Sequence, residues 1–374
     1  QCMELELPAT EYEMLDLMEQ LRLKPGQIPY LEILEFYDYE YLAGRIQELP
    51  DVFQLNTLAK RLAELELHGM AAFEGLVSME LQKGGTRLSI LHLIDFAYSE
   101  DCCHVVEDPM TDCQLGRFFA ENGFIPEADQ LSDAAFELLD FAKIGKEHRE
   151  SEGGVFTGFG YVERHEEPRK ISGTLNFQPH KPPYTVLLSL AHESKAEAIS
   201  IRLPASSAEL REALSQLGTP DWKDAVSTIL DCPVPSMNKR LFLGEAIPLV
   251  IEWAEALREL DKAGSLPKYK ALLSAADCGG IAEALRLTNA LDEYEFAPSL
   301  QKEDDVASAF LAGNLSGSLL QTVLPHIHLQ ALGRSLLETS NGALTPYGAI
   351  SREDGEPIQN VNDQPRQGGM EMNG

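Results

Sequence analysis

The sequence predicts an α+β fold that occurs twice in tandem along the chain. First, residues 7–15 (LPATEYEML) recur as residues 203–211 (LPASSAELR). Second, strand-like and helix-like hydrophobic patterns follow this segment in the same order in both halves. Third, glycines and prolines separate these patterns. We therefore predict a first repeat over residues 1–165, a linker over 166–183, a second, diverged repeat over 184–350, and a disordered polar tail over 351–374.

The N-terminal part of the first repeat is predicted to form a small sheet with one helix. Residues 2–7 alternate between apolar and polar side chains and stop at Pro8, which is typical of a short strand. Thr10 followed by Glu13 is a capping-box pattern, so we expect a helix from there to about Leu23. Residues 30–39 interleave aromatic and aliphatic side chains with acids, which predicts a strand with one face in water.

The rest of the first repeat is predicted to form a helical bundle and a helix-plus-hairpin subdomain. Leucine spacing predicts helices over residues 54–67, 69–83 and 88–98. A brief strand over 103–106 precedes a helix from Asp112 to Asn122 and another from Ser132 to about Glu150. Residues 155–164 are predicted to form a hairpin around Gly158.

The second repeat is predicted to follow the same order. Strands over 184–190 and 197–203 form a hairpin, and Ser206 caps a helix that ends at Leu217. The predicted helices that follow span residues 247–260, 266–276, 281–291 and 302–313, and a final hairpin spans 342–350. Each repeat thus combines a small mixed β-sheet, a compact helical bundle and a helix-plus-hairpin subdomain.

Composition excludes several classes of function. The formal net charge is −30, with 60 acidic and 30 basic residues, and no Lys/Arg cluster offers the cationic face that nucleic-acid binding needs. No apolar run approaches the roughly 18 residues that span a bilayer, and the N-terminus lacks the parts of a signal peptide. The six cysteines do not form the pattern of a disulfide framework, so we expect a reducing, cytoplasmic setting.

No residue pattern indicates catalysis, a metal or a cofactor. Cys102, Cys103 and His104 lack the roughly two to four intervening residues typical of metal-ligand pairs. Adjacent residues on a strand also point to opposite faces. Glu147 and His148 lie on a helix face rich in charges of both signs, which is typical of a solvated face rather than of acid–base chemistry. We therefore expect a protein that is not an enzyme and that needs neither metal nor cofactor.

Acidic residues are concentrated in the first repeat. Residues 1–180 carry 34 acidic and 14 basic residues, a net of 20 negative charges, whereas residues 181–374 carry 26 and 16, a net of 10. Acidity alone is typical of a solubilising surface, but ten acids among the first 40 residues repel one another at a cost in stability. We therefore predict a partner-binding acidic surface. Its predicted residues are Glu11, Glu13, Asp16, Glu19, Glu32, Glu35, Asp38, Glu40, Asp101, Glu107, Asp108, Asp112, Asp133, Glu137, Asp140 and Glu147.

These segments resemble the ArdA family of antirestriction proteins. Residues 30–40 (YLEILEFYDYE) followed by 54–64 (QLNTLAKRLAE) are similar to the family's acidic, tyrosine-rich strand and its Leu-Asn-x-Leu-Ala helix. Residues 138–145 (LLDFAKIG) with 160–162 (GYV) are similar to its C-terminal stretch. Residues 184–204 are similar to its N-terminal hairpin. The resemblance covers about residues 1–358, one family protein per repeat.

The resemblance implies a function. Members of this family are elongated acidic proteins of mobile genetic elements that imitate the charge of bent duplex DNA and block type I restriction-modification enzymes. It implies that this chain competes for the DNA-binding groove of such an enzyme, without binding nucleic acid or membrane itself. Because family members act as dimers, it also implies an internal pseudo-dimer of the two repeats or a homodimer.

The second repeat departs from the family pattern, and other functions remain open. Residues 139–141 (LDF) correspond to 324–326 (LPH), and Cys232, Pro233 and Pro235 stand where the first repeat is acidic. We therefore expect mimicry mainly from the first repeat. The alternative is an acidic interaction or scaffold protein of a mobile element without DNA mimicry. A third hypothesis is a hydrolase or nuclease, which needs convergent carboxylates around a divalent metal.

Overall fold

The structure, a computed structural model, describes residues 3–24, 27, 29–47, 50–126 and 128–358. The chain divides into two compact units. Unit 1 comprises Gln1–Ala9 and Leu23–Pro179, and unit 2 comprises Thr10–Arg22 and His180–Gly374. The first helix of the chain, α1 (Glu11–Leu21), therefore belongs to unit 2 although it precedes most of unit 1.

Both units combine helices with small antiparallel sheets, which confirms the predicted α+β class. The helices of unit 1 are α2 (Val52–Leu62), α3 (Leu67–Gln82), α4 (Ile90–Ala97), α5 (Asp112–Glu121), α6 (Asp133–Phe136) and α7 (Phe141–Glu152). Its strands are β1 (Cys103–Glu107), β2 (Val155–Thr157) and β3 (Gly160–Arg164). A 3₁₀ helix spans Tyr37–Leu42.

The core of unit 1 lies between helices α2–α4 and a three-stranded sheet. The strand order is β1–β3–β2, and Val162 on the central strand faces Val105 on one side and Val155 on the other. Buried side chains of α3, including Phe73 and Leu76, belong to the same cluster as Val155 and Val162. Burial of this apolar surface stabilises the unit at about 25 cal/mol per Å².

Helices α5 and α7 cross at unusually close range, because two glycines face each other. A Cβ atom built on Gly145 would lie 1.9 Å from the carbonyl oxygen of Asp112, and one built on Gly116 would lie 1.9 Å from that of Phe141. Neither contact leaves room for a methyl group. This crossing sets the position of the acidic residues that α5 and α7 carry.

Unit 2 is built around two sheets and a bundle of helices. Its strands are β4 (Val186–Ala191), β5 (Ile199–Leu203), β6 (Val226–Asp231), β7 (Leu241–Leu243), β8 (Tyr294–Ala297), β9 (Ala343–Thr345) and β10 (Gly348–Arg352). The sheet orders are β5–β4–β6–β7 and β8–β10–β9. Its remaining helices are α8 (Ser207–Leu217), α9 (Ile247–Lys262), α10 (Leu266–Ala275), α11 (Ile281–Asn289), α12 (Glu303–Asn314), α13 (Gly317–Val323) and α14 (Leu329–Thr339).

A series of two linked hydrogen bonds passes through the core of unit 2. Trp253 and Tyr269 are both fully buried, and the Trp253 indole N–H donates to the Tyr269 hydroxyl at 2.8 Å. That hydroxyl donates in turn to the carbonyl oxygen of Ala284 at 2.5 Å. Because buried polar groups are costly when unpaired, this series of two hydrogen bonds fixes how α9, α10 and α11 pack.

The predicted helical bundles and hairpins are confirmed, with helix ends shifted by a few residues. The hairpin over 155–164 forms as β2 and β3, and that over 184–203 forms as β4 and β5. Ser206 caps α8, which ends at Leu217 as predicted. The final hairpin continues past residue 350 to Arg352, so the predicted tail begins too early. The rest of that tail, residues 359–374, lies outside the described residues.

Three element predictions are wrong. Residues 3–7 and 30–36 form no strand, because no described segment pairs with them; Cys2, the first residue of the predicted N-terminal strand, lies outside the described residues. The helix predicted from Ser132 to about Glu150 is broken, since α6 ends at Phe136 and Asp140 caps a new helix, α7. In addition, strands β6 and β7 were not predicted.

The predicted linker 166–183 is in part packed onto unit 1. The backbone N–H of Ser172 donates to the buried carboxylate of Asp95 at 2.7 Å. The backbone N–H of Arg169 donates to the Ser99 hydroxyl at 2.9 Å. The division between the units falls after Pro179, inside the predicted linker.

The α5–α7 crossing gives a stability prediction. We expect Gly145→Ala to destabilise the protein by about 1–3 kcal/mol, because the new methyl group must push α5 and α7 apart. Gly313→Ala is the matched control, since Gly313 also lies in a helix but has nothing within 4 Å of a built Cβ. That change is expected to be neutral or to stabilise by up to about 1 kcal/mol. Urea unfolding measures both, and equal effects would contradict the close crossing.

Candidate protein-binding surface

The segment of residues 30–40, hereafter the acidic segment, holds its carboxylates in solvent. Glu32, Glu35, Asp38 and Glu40 are all exposed, and no described residue forms an ion pair with any of them. The segment is anchored by its other side chains, since Leu31, Ile33, Phe36 and Tyr39 pack against the core of unit 1. The Tyr39 hydroxyl also donates to the carbonyl oxygen of Leu62 at 3.0 Å. Anchoring on one side leaves the acids on the other.

Asp16, predicted for the exposed surface, is instead buried in unit 2. Its side chain is 5% exposed, as is that of Lys270, whose ammonium lies 2.6 Å from the Asp16 carboxylate. The same ammonium lies 2.6 Å from the Glu19 carboxylate. The Tyr347 hydroxyl donates to Asp16 at 3.1 Å, and burial together with the Asp16 charge raises the pKa of Tyr347. Asp16 and Glu19 thus hold α1 in place rather than face a partner.

The two other acids of α1 also make contacts within unit 2. Glu13 closes the capping box with Thr10 and accepts a hydrogen bond from the Asn238 amide at 3.0 Å. The Glu11 carboxylate accepts from the backbone N–H of His180 at 3.2 Å. The sequence could not separate these acids from those of the acidic segment, because their partners lie more than 160 residues away.

The predicted residues between 101 and 112 divide into paired and unpaired acids. Asp101 is paired with Arg169. Asp112 receives two hydrogen bonds from the Arg149 guanidinium, at 2.7 and 3.1 Å, which lower the pKa of that carboxyl group. Glu107 and Asp108, where β1 ends, are exposed and have no ion-pair partner in the part of the chain that the structure describes.

Most of the predicted acids on and beside α6 and α7 have an ion-pair or hydrogen-bond partner. The Arg117 guanidinium donates to both oxygens of Glu137, at 3.0 and 2.8 Å, and these bonds lower the pKa of the carboxyl group. Asp140 accepts from the backbone N–H of Lys143 at 3.0 Å as the N-cap of α7, and Glu147 lies 3.8 Å from the Lys143 ammonium. Asp133, in the first turn of α6, is exposed.

Sequence reasoning missed two exposed apolar residues beside these acids. Tyr30 is 83% exposed and Leu34 is 70% exposed. They share the parity of Glu32, so the alternation of the segment places them on its solvent side. The alternation of even- and odd-numbered residues was visible in the sequence, but the strand prediction did not decide which of the two sets faced water.

Possible metal sites and membrane-spanning helices are both absent from the described ranges. No group of three or more His, Cys, Asp or Glu side chains there is arranged to hold a metal ion. Nor does any described helix have the length and apolar character needed to cross a bilayer. No protein-family model matches the chain, and no curated protein matches it.

The ion pair in unit 2 gives a second stability prediction. Lys270→Met is expected to destabilise the protein by about 3–5 kcal/mol, because it leaves the buried Asp16 carboxylate without its cation. Replacing both residues, Asp16→Leu with Lys270→Met, should recover much of this loss. The control is Lys262→Met, which removes an exposed lysine paired with Glu259 and should cost at most about 1 kcal/mol. Unfolding in urea would contradict the assignment if the two lysine variants lost equal stability.

Proposed function

We propose that this protein is an acidic DNA mimic that occupies the DNA-binding groove of type I restriction-modification enzymes. The observation that carries the proposal is the acidic segment, where Glu32, Glu35, Asp38 and Glu40 face solvent with no cation beside them among the described residues. A groove that binds DNA is lined by Lys and Arg, and unpaired carboxylates are the groups that such a groove attracts. The resemblance to the ArdA family supports the same target.

The number of unpaired acids sets the scale of the mimicry. Duplex DNA carries one charge per about 1.7 Å of its axis, so the whole net charge of −30 would match about 50 Å, or roughly 15 base pairs. The seven predicted acids that have neither an ion-pair nor a side-chain hydrogen-bond partner among the described residues would match only about 12 Å. They are Glu32, Glu35, Asp38, Glu40, Glu107, Asp108 and Asp133. We therefore propose that these seven are the strongest contacts within a more diffuse acidic field.

We further propose that the two sequence repeats, residues 1–165 and 184–350, derive from a tandem duplication. The sheets β1–β3–β2 and β8–β10–β9 have the same order, which supports it. The turns also agree, since the Thr157 hydroxyl donates to the carbonyl oxygen of Gly160 and the Thr345 hydroxyl to that of Gly348. The elongated shape and the pseudo-dimer or homodimer implied by the family resemblance stay predictions.

The proposed mechanism needs neither catalysis nor a cofactor. The chain would act by excluding DNA from the groove, so its effect depends on affinity and on the concentration of competing DNA. Because restriction-modification enzymes act on cellular DNA, the proposal places the chain in the cytoplasm.

Neutralising the acidic segment should weaken binding to a type I restriction-modification complex. Four exposed charge contacts of about 0.5 kcal/mol each sum to about 2 kcal/mol, so the variant E32Q/E35Q/D38N/E40Q should bind roughly thirtyfold more weakly. The matched control E193Q/E197Q/E252Q/E255Q removes four exposed acids of unit 2 and gives the same net charge. It should bind within threefold of the unchanged protein. Equal losses in both variants would show that only net charge matters and would contradict a local site.

Binding should also depend steeply on salt. The unchanged protein should compete with duplex DNA for the complex at about 50 mM salt and lose at least tenfold in affinity at about 200 mM, because screening weakens exposed charge contacts. Affinity that stayed constant between the two salt concentrations would count against mimicry.

A second candidate function is an acidic interaction protein without DNA mimicry, which the exposure of Tyr30 and Leu34 favours. Such a protein would bind through apolar contacts, and these are not screened by salt. Under this alternative, binding survives neutralisation of the four acids but is lost in the variant Tyr30→Ser with Leu34→Ser.

A further inference from the structure

Residues 29–35 have the pattern of a strand without a neighbouring strand. Side-chain burial alternates from Pro29 to Leu34, with odd positions half-buried and even positions exposed. Among the described residues, no backbone or side-chain hydrogen bond reaches the backbone of residues 29–35. Backbone N–H and C=O groups are obligatory hydrogen-bonding groups, so here they are left to water.

The segment is held in place even though its backbone is unpaired. Leu31, Ile33 and Phe36 pack against the core of unit 1 and fix one side of the chain. Tyr30, Glu32 and Leu34 project from the other side, and at a strand rise of about 3.3 Å per residue they span about 13 Å. A pre-ordered backbone pairs with less loss of conformational entropy than a disordered one.

The segment of unit 2 that follows α8, as residues 29–35 follow α1, forms a paired strand. There, the strand that follows helix α8 is β6, and it is paired with β4 on one side and β7 on the other. In unit 1, the segment that follows α1 along the chain has no such neighbour within the described ranges.

We propose that residues 29–35 bind a partner by strand addition to an exposed sheet edge of a basic protein. This rests on the proposed function and names how the acidic segment contacts the groove. Backbone hydrogen bonds supply affinity, while Glu32 and Glu35 meet Lys or Arg and Tyr30 and Leu34 meet apolar side chains.

Charge decides between a basic partner and a second copy of this chain. If two copies paired along this segment, Glu32 and Glu35 of each would approach the same acids of the other. Like charges across a strand pair are destabilising, whereas opposite charges stabilise it. The acids therefore disfavour self-pairing and favour a cationic edge.

Hydrogen–deuterium exchange tests the proposal directly, with a purified type I restriction-modification complex as the probe. In the free protein, the amides of residues 30–35 should exchange at the rate of an unfolded peptide, because no hydrogen bond among the described residues protects them. On binding, exchange should slow at least a hundredfold at alternate residues of the segment, because only every second N–H of a strand faces a given neighbouring strand. Protection in the free protein, or no protection in the bound protein, would overturn strand addition.

A pair of variants separates the backbone from the side chain. Leu34→Pro removes one N–H donor and suits an extended chain, and it keeps every charge. Leu34→Ser removes the apolar side chain and keeps the N–H. Both variants lose the leucine side chain, and only Leu34→Pro loses the N–H donor. We therefore expect Leu34→Pro to bind at least tenfold more weakly than Leu34→Ser, with unchanged urea midpoints for both, since Leu34 is exposed.

The outcomes distinguish this proposal from the function on which it rests. If the acid-neutralised variant binds weakly but Leu34→Pro binds like the unchanged protein, strand addition is wrong and electrostatic mimicry stands. If the unchanged protein does not compete with DNA for the complex, both proposals fail.

Discussion

A shortage of cations is the constraint on which the rest of this structure depends. With 60 acidic and 30 basic residues, at least half of the carboxylates cannot have a basic residue of their own. A carboxylate without a cation must remain in water or be held by hydrogen bonds, as Asp95 is, because burying an unpaired charge is very costly. The fold therefore determines which acids lie next to a basic residue. In the predicted surface, Asp112 and Glu137 each receive two hydrogen bonds from an arginine, whereas the acidic segment receives no cation from any described residue.

The cation with the greatest structural consequence is Lys270. It is buried, and it contacts both Asp16 and Glu19, so one lysine holds two acids of α1. A buried ion pair is weak evidence for stability compared with an apolar pair, but it penalises any arrangement that leaves one partner alone. Helix α1 is therefore specified for its site on unit 2 by charge as well as by its buried apolar residues, Tyr12, Met14 and Leu17.

The sequence was sufficient for the elements whose signals are local. The Ser206–Glu209 capping box marks the start of α8, and leucine spacing marks the helical bundles, because both depend on residues within one or two turns. It was insufficient where the outcome depends on a distant partner. Residues 30–36 carry strand-like alternation, yet a strand exists only when another segment pairs with it. Likewise, Asp16 and Glu32 are both acids in an amphipathic pattern, but Asp16 is buried beside Lys270 and Tyr347, two distant partners, whereas Glu32 is exposed.

Within the part of the chain that the structure describes, acids without a cation and backbone without a hydrogen bond lie in one segment, and each accounts for the other. An unpaired strand is a liability, because it can pair with another copy and cause aggregation, and charged side chains are a common protection against this. We propose that Glu32 and Glu35 supply that protection without closing the edge to a cationic protein. The same carboxylates would thus prevent self-association and select a basic partner. Repulsion among the like charges of residues 30–40 lowers stability. We propose that this loss is tolerated because the same charges keep the binding edge free of other copies and selective for a basic partner.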